Sequence, residues 1–396
     1  MHLFLLVLAA ATLAAALALA ADSALGLRSL PTLRGTPPIS FALAPRVSII
    51  VAARDEAAHV EAALGTLLAQ AYPDLEVVVV DDRSSDGTGA ILDRVAAGWA
   101  RQSQRAARDG HGRARLRVLH VTELPAGWLG KNHALHRGAG VADGEVLLFT
   151  DADVLLRPDA VARAVGLLER QGLDHLAVAP RIHAGGPWAT MTVGVFLVVF
   201  GAVFRPWKAR DPRSRHHIGI GAFNLVRTSA YRAIGGHAGI ALRPDDDVRL
   251  GRRLKRSGHR QATALGRATV LVEWYPSLRA MARGLRKNAF AAVDYRLAAI
   301  VAGTLVPVLF IFWPVAALAL TGGMVLRLNA AILLVGVLGT WDTARAHGLR
   351  RWVALTYPLG AAFLLWIVWS ATLATLRSGG IEWRGTRYRL DELRRG

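Results

Sequence analysis

Long apolar stretches bracket a charged middle, and every fold open to this chain must respect that division. Leu3 to Ala21 is almost uncharged, Leu297 to Leu320 is one continuous apolar run, and Val353 to Leu376 is another. About 20 apolar residues cross the hydrocarbon core of a bilayer, and there every backbone polar group must be satisfied internally, which favours helices. With 53% apolar residues overall, the pattern predicts a water-exposed domain carried by membrane helices. An uncleaved anchor over 1–22 is expected rather than a signal peptide, because no Lys or Arg precedes the run. Arg28, Arg34 and Arg46 follow on its carboxyl side. By the positive-inside rule they place the bulk of a multi-pass cell-membrane protein in the cytoplasm and the amino terminus outside. Spanning helices are expected over 297–376, where Asn329 to Trp341 is a shorter segment that spans or re-enters, and a basic tail over 377–396. Three crossings would put that tail outside, whereas Arg345, Arg350 and Arg351 ask for the inside, so its side stays open.

The formal net charge of +19 would suit nucleic acid, but the basic residues flank membrane segments and no nucleic-acid reading motif is present. An anionic lipid surface is the expected partner, not nucleic acid. The chain has no cysteine, which excludes disulfides and thiolate metal sites and leaves oxygen or histidine to hold any metal. Oligomeric state is not readable.

Between the membrane segments, short β-branched runs alternate with amphipathic stretches. This predicts an α/β domain with a mostly parallel, doubly wound sheet over 46–290. Strands are expected at Val47 to Ala52, Glu76 to Val80, Leu116 to His120 and Glu145 to Thr150. Helices are expected at Ala57 to Ala69, Gly89 to Ala100, Asn132 to Val141 and Asp159 to Arg170. Arg101 to Arg117 reads as a basic connection, and Trp188 to Phe204 as an interfacial helix inside the soluble domain.

Carboxylates gather where those strands end. Asp151-Ala152-Asp153 follows the apolar run Val146 to Thr150, at the strand end where open α/β sheets bind ligands. Two carboxylates one residue apart suit a hard cation such as Mg²⁺ or Mn²⁺ on a diphosphate. A plain surface turn explains an isolated Asp-x-Asp equally well. Asp81-Asp82 follows Val77 to Val80 in the same way, beside Ser84-Ser85-Asp86-Gly87-Thr88, and Arg54-Asp55-Glu56 ends the first strand. Acids there can hydrogen-bond a base or ribose. Gly127-Trp128-Leu129-Gly130-Lys131-Asn132 is a glycine-flanked turn opening a helix, where amides and one ammonium can meet phosphate oxygens. Pro244-Asp245-Asp246-Asp247 precedes a basic helix from Val248 to Arg256. Mutual repulsion raises the proton affinity of one acid in such a run, which suits a general base, and plain helix N-terminal complementarity explains one or two of them. Arg283 to Lys287 closes the domain with cations able to neutralise a diphosphate or to touch lipid headgroups. His133, His136, His216 and His217 are expected to be structural rather than ligands.

From Val47 to about Asn288 these motifs resemble glycosyltransferase family 2, in a membrane-anchored form. The resemblance rests on Val47-Ser48-Ile49-Ile50-Val51-Ala52-Ala53-Arg54-Asp55-Glu56, Val80-Asp81-Asp82, Thr150-Asp151-Ala152-Asp153 and Asp246-Asp247-Val248-Arg249-Leu250-Gly251. Gly127 to Leu135 and Gly380-Ile381-Glu382-Trp383-Arg384-Gly385-Thr386 are similar to the subset acting on carotenoid, hopanoid or ceramide-like lipids. The resemblance implies a Rossmann-like glycosyltransferase fold of type A and an inverting transfer of one sugar from a nucleotide-sugar, with a lean to UDP, onto a lipid hydroxyl. Ala53, Arg54, Glu56, Asp81, Asp82, Lys131, Asp151, Arg283 and Arg286 would hold the donor, Asp153 with Asp151 the Mg²⁺ or Mn²⁺, and Asp247 with Asp246 the proton chemistry. Where the family has Arg-x-x-Arg-Trp, this chain has Lys287 in place of Trp, which argues against a processive polymerase. A polyprenyl-phosphate acceptor and a non-catalytic scaffold that keeps the fold are the alternatives.

Overall fold

The computed structural model describes residues 1–108, 114–383 and 386–395. Along the chain run α1 (His2–Ser29), β1 (Val47–Ala53), α2 (Val60–Leu68), β2 (Leu75–Asp82), α3 (Thr88–Arg108), β3 (Arg115–Val121), α4 (Gly130–Val141) and β4 (Val146–Asp151). Next come β5 (Val154–Leu156), α5 (Ala160–Arg170), β6 (His175–Ala184), α6 (Gly186–Phe204), β7 (Asn224–Arg227), α7 (Thr228–Ala233), α8 (Asp246–Arg256) and β8 (Gln261–Tyr275). The rest is α9 (Leu278–Ala289), α10 (Leu297–Pro307), α11 (Trp313–Leu320), α12 (Gly323–His347), α13 (Tyr357–Ser378), a hairpin of β9 (Gly380–Trp383) with β10 (Thr386–Arg389), and α14 (Leu390–Arg395).

The chain divides into two compact units. A sheet unit holds 30–181 and 206–273, and a helical unit holds 1–29, 182–205 and 274–395.

In the sheet unit the described strands order as β3-β2-β1-β4-β7-β6-β8-β5. β3, β2, β1 and β4 are parallel, while β7 runs antiparallel to both β4 and β6, and β5 antiparallel to β8. Every residue of β2 is buried, as expected of a parallel strand covered on both faces. The four strands and four helices anticipated in this half all form. After Asp153 the chain does not pass straight into a helix but lays down β5 first, because Val154 and Leu156 find pairing partners on β8. The expected basic connection begins as the last turns of α3, because Thr88 to Arg108 carries one apolar stripe at helical spacing.

One core fills the space between β1, β4 and β7 and the helices α4, α7 and α8. Ile50, Leu147, Phe149 and Val226 meet Leu135, Tyr231, Leu250 and Leu254. Each such side chain contributes roughly 1.5–3 kcal/mol on burial. α4 lies so close to the sheet that a Cβ at Gly138 would stand 2.6 Å from Ile50 Cγ2. Consequently the amino end of α4 is held rigidly beside the carboxyl ends of β1, β2 and β4, the edge where strand order reverses.

In the helical unit, Asn329 to Trp341 sits inside a single 25-residue helix, longer than the apolar run alone suggests. Pro307 breaks the preceding segment into α10 and α11 through a π-helical turn at Val308–Phe312. Among the described residues five helices are long and apolar enough to cross a membrane: 2–29, 186–208, 297–320, 323–347 and 357–378.

His175, fully buried at the start of β6, faces Asn224 Oδ1 through Nε2 at 2.5 Å, while its Nδ1 has no hydrogen-bond partner. Burial pushes its pKa down to about 4 from 6.5. Because the folded value lies below the unfolded one, the unfolded chain binds the extra proton. The stabilisation is therefore whole above pH 6.5 and lost as pH falls towards 4, by on the order of 3 kcal/mol in total. Thermal melting followed between pH 7.5 and 4.5 should show this decline, and His175→Gln should flatten part of it.

Candidate active site

The loops that follow β1 and β2 are laced together. The Asp55 amide donates to Ser84 Oγ at 3.1 Å, Ser85 N to Asp55 Oδ1 at 2.8 Å, Glu56 N to Thr88 Oγ1 at 2.8 Å and Ala57 N to Asp86 Oδ2 at 3.0 Å. Asp55 and Arg83 hold positive φ of 52° and 55°, a conformation that costs free energy and is retained where the surroundings over-determine it, often at functional sites. Behind them Asp82 is 2% exposed and is gripped by Arg83 through Nε at 2.7 Å and Nη2 at 3.0 Å, with Arg54 Nη1 at 3.7 Å. Asp81 Oδ2 meets His120 Nδ1 at 3.0 Å. Hydrogen bonds to Asp81 and then to Asp93 raise the pKa of His120.

Gly130 opens α4 directly against Asp82, where a side chain would collide with the carboxylate. The next turn is fastened from the other side. Asn132 Nδ2 donates to the carbonyls of Ile240, Ala241 and Arg243 at 2.8, 3.1 and 2.9 Å, and Leu129 N donates to Ala241 O at 2.8 Å. This clamp brings the chain that leads into α8 against the start of α4. Lys131 Nζ therefore lies 2.8 Å from Asp151 Oδ1, at the end of β4, and 3.5 Å from Asp246 Oδ2.

Helix α8 begins at Asp246, so both Asp246 and Asp247 occupy its first turn, where the helix dipole favours negative charge. The three successive acids are sorted by their partners. Asp245 is held by Arg243 at 3.1 Å and Arg249 at 2.8 Å, and Asp246 faces Lys131. Asp247 accepts Gly221 N at 2.7 Å and Val248 N at 2.8 Å. Burial, then repulsion from Asp246, pushes the Asp247 carboxyl up to about 7 against the pull of Lys131. Burial alone would lower the Lys131 pKa, but Asp151, Asp246 and Asp247 outweigh it and hold the ammonium charged. One pocket is lined by Lys131, Thr150, Asp151, Gly221, Asp246 and Asp247.

Asp153 completes the edge. Its carboxyl is pushed up to about 7, first by burial and then by Asp151 and Glu56. Among the described residues no three His, Asp or Glu side chains are arranged ready to hold a metal ion. The crowded carboxyl of Asp153 nevertheless fits a hard divalent cation, whose charge would relieve that repulsion and whose remaining ligands a diphosphate would supply.

Glu56, Asp81, Asp82, Lys131, Asp151, Asp153, Asp246 and Asp247 thus line one continuous sheet edge, and Ala53 ends β1 paired in register with Asp81. Arg283 and Arg286 lie on α9 of the helical unit, with the Arg286 side chain outside the described residues. Arg384 and Gly385 of the tail motif also lie outside them. His133 and His136 pack on the Trp128 ring at 5.6 and 5.0 Å, and burial lowers both pKa values. Sequence reasoning missed Gly221, Asn224 and His237, which also line the pocket. The glycine pair Gly219 and Gly221 was the available signal. A Cβ at Gly221 would stand 3.0 Å from Asp151 Oδ2 and 3.5 Å from both Asp247 Oδ2 and Lys131 Nζ, so only glycine leaves the pocket open.

Residues 48–235 match Glycosyl transferase family 2. These residues form a glycosyltransferase family 2 domain. Relatives include a beta-monoglucosyldiacylglycerol synthase of Trichormus variabilis, 30% identical over 35% of this chain and 26% of its own length. A 4,4'-diaponeurosporenoate glycosyltransferase of Staphylococcus haemolyticus is 28% identical over 37% of each chain. A polyprenol monophosphomannose synthase of Mycolicibacterium smegmatis is 28% identical over 50% of this chain and 65% of that one. The chain thus spans only part of these relatives, about a quarter of the synthase from Trichormus. The structure of mannosyltransferase PcManGT from Pyrobaculum calidifontis, in complex with GDP-Man and Mn²⁺, covers 94% of this chain and 98% of its own at 22% identity and a TM-score of 0.52. It shares the type-A glycosyltransferase fold.

Two substitutions test the geometry. Asn132→Ala removes an amide donor shared by three carbonyls of the 240–243 segment and should cost about 1–3 kcal/mol in thermal or denaturant unfolding. Gly221→Ala should leave stability nearly unchanged while weakening nucleotide-sugar binding at least tenfold by calorimetry.

Proposed function

We propose that this protein transfers a single sugar from a nucleotide-sugar to the hydroxyl of a membrane lipid, with inversion and with a divalent cation on the donor. The observation that carries the reading is the meeting of Lys131, Asp151, Asp246 and Asp247 in one pocket, continuous along the sheet edge with Asp82 and Asp153. The relatives named for glucosyldiacylglycerol and diaponeurosporenoate chemistry support a lipid acceptor.

In this reading Asp81 and Asp82, with Ala53, Arg54 and Glu56, hold the nucleoside. Asp153 and Asp151 would hold Mg²⁺ or Mn²⁺, which when bound offsets negative charge on the diphosphate. Lys131 adds fixed positive charge to the phosphate side. A carboxyl poised near 7 is suited to take a proton from a hydroxyl at neutral pH, and Asp247 has that property. As the acceptor oxygen bonds to the anomeric carbon, the carbon–phosphate oxygen bond breaks, the nucleoside diphosphate leaves and the acceptor proton passes to Asp247. No covalent sugar–protein intermediate is needed. Asp246 stays paired with Lys131 and tunes Asp247 by repulsion. Arg28, Arg34 and Arg46 support a cytoplasmic sheet unit on a multi-pass membrane protein.

The relative named polyprenol monophosphomannose synthase favours a second reading, with a lipid phosphate as acceptor. A phosphate is already ionised and needs no base. Asp247→Asn separates the two: loss of turnover by about 10²–10⁴-fold with donor binding retained supports the hydroxyl acceptor, and near-normal turnover supports the phosphate. Asp153→Ala should abolish any gain in donor affinity on adding Mn²⁺. If the parent protein binds donor equally with and without the ion, the cation assignment falls. Extracting the lipid fraction after incubating membranes with labelled nucleotide-sugars identifies the product, and donor binding without any transfer would leave the scaffold alternative standing.

A further inference from the structure

Among the described residues five helices have the length and composition to span a bilayer, but chain connectivity and hydrogen bonds restrict which of them do. Helix α6 is joined to the sheet unit at both ends: β6 precedes it by one residue, and Pro206, just beyond it, accepts a hydrogen bond from Thr263 Oγ1 of β8 at 3.2 Å. Nineteen helical residues measure roughly 28 Å. A crossing would therefore place the two ends on opposite faces of the membrane and pull one hydrogen-bonded sheet across it, which the hydrocarbon core does not tolerate.

A second set of contacts, all within the helical unit, restricts α13. Arg394 Nη2 of α14 donates to Tyr295 O at 3.3 Å, two residues before α10 begins. The C-terminal tail and the entrance to α10 therefore share a face. Thr321 and Gly322 join α11 to α12, so the end of α12 returns to that face. Arg28 at the end of α1 pairs with Asp342 near the end of α12 at 3.3 Å, which places the exit of α1 there as well. The chain from His347 to Leu390 starts and finishes on one face, so α13 alone cannot cross. Its first residue confirms the path. Tyr357 Oη donates to Leu333 O at 3.4 Å, against the middle of α12, and Trp369 Nε1 donates to Thr304 Oγ1 at 3.0 Å, in the last turn of α10. Residues 348–356 climb back along α12 and α13 descends again.

The two helices that do not cross pack antiparallel on each other. Trp188 meets Phe363 edge-on at 5.4 Å, a Cβ at Gly360 would stand 2.6 Å from Met191 O, and one at Gly194 would stand 3.2 Å from Val353 Cγ2. Their outward side chains are apolar and open: Val199 45%, Val203 60%, Leu359 52% and Trp366 53% exposed. Such a surface suits the acyl chains of one leaflet.

We propose that α6 and α13 form a paired platform embedded in one leaflet, that among the described helices α1, α10–α11 and α12 span, and that the C-terminal tail emerges on the side where α1 exits. This arrangement places Arg345, Arg350, Arg351, Arg387, Arg389 and Arg394 on one face, which removes the conflict between crossing number and charge. It does not rest on the transfer reading.

Because the chain lacks cysteine, single Phe41→Cys, Gly322→Cys, Ser378→Cys and Arg387→Cys variants of the full chain, in sealed vesicles of known orientation, can be probed with a membrane-impermeant maleimide. The labels at 41, 378 and 387 should react from the same side and the one at 322 only from the other. Reaction of both 378 and 387 from the side of 322 overturns the proposal, and the second tail reporter covers failure of the first variant to fold. Spin labels at Trp188, Val199 and Val203 supply an independent readout. Depth that stays within one leaflet along the whole of α6 supports the platform, and a steady passage through the bilayer midplane into the other leaflet overturns it. Loss of transferase activity in any variant moves neither measurement.

Discussion

Crowding of carboxylates against one ammonium is the interaction around which the sheet edge is organised. Lys131 stands between Asp151 of β4 and Asp246 of α8, with Asp247 adjacent, so one cation joins two acid groups contributed by distant parts of the chain. Separately, either acid pair would be a repulsive cluster with little reason to stay close. Joined through Lys131, they leave Asp247 with raised proton affinity and two backbone amides to orient it. Removing the ammonium would leave buried like charges uncompensated, which costs more than an ordinary surface ion pair contributes.

That charge arrangement depends on apolar packing that carries no chemistry. The core between β1, β4, β7 and α4, α7, α8 positions the start of α4, and the buried amide of Asn132 locks it to the segment that delivers the acids of α8. Glycines at 130 and 138 mark the places where α4 approaches a carboxylate and the side chains of a neighbouring strand too closely for a side chain of its own, and Gly221 keeps the pocket open. The site is rigid because the elements beneath it are, consistent with ligand sites built at the ends of packed strands.

Membrane attachment obeys a different rule. Composition identifies which helices tolerate hydrocarbon, but the side on which each end emerges is decided by what the ends are joined to. For α6 and α13 the joins to the sheet unit and to the entrance of α10 oppose a crossing that hydropathy alone would permit.

By itself the sequence determined the parallel half of the sheet, its strand ends and most of the acids and cations along them. Periodicity and the position of a carboxylate after a buried run are local properties, written in consecutive residues. It also marked out apolar segments towards both ends that are long enough to cross a membrane. The antiparallel half was not legible, because β5, β6, β7 and β8 are defined by pairing between segments far apart in the chain rather than by their own pattern. For the same reason only tertiary structure decided which of three consecutive acids is neutralised by arginine, which faces Lys131 and which is left with a raised proton affinity. Gly221 and Asn224 entered the pocket unannounced, since a glycine amide and a strand asparagine acquire meaning only from the groups that folding sets beside them.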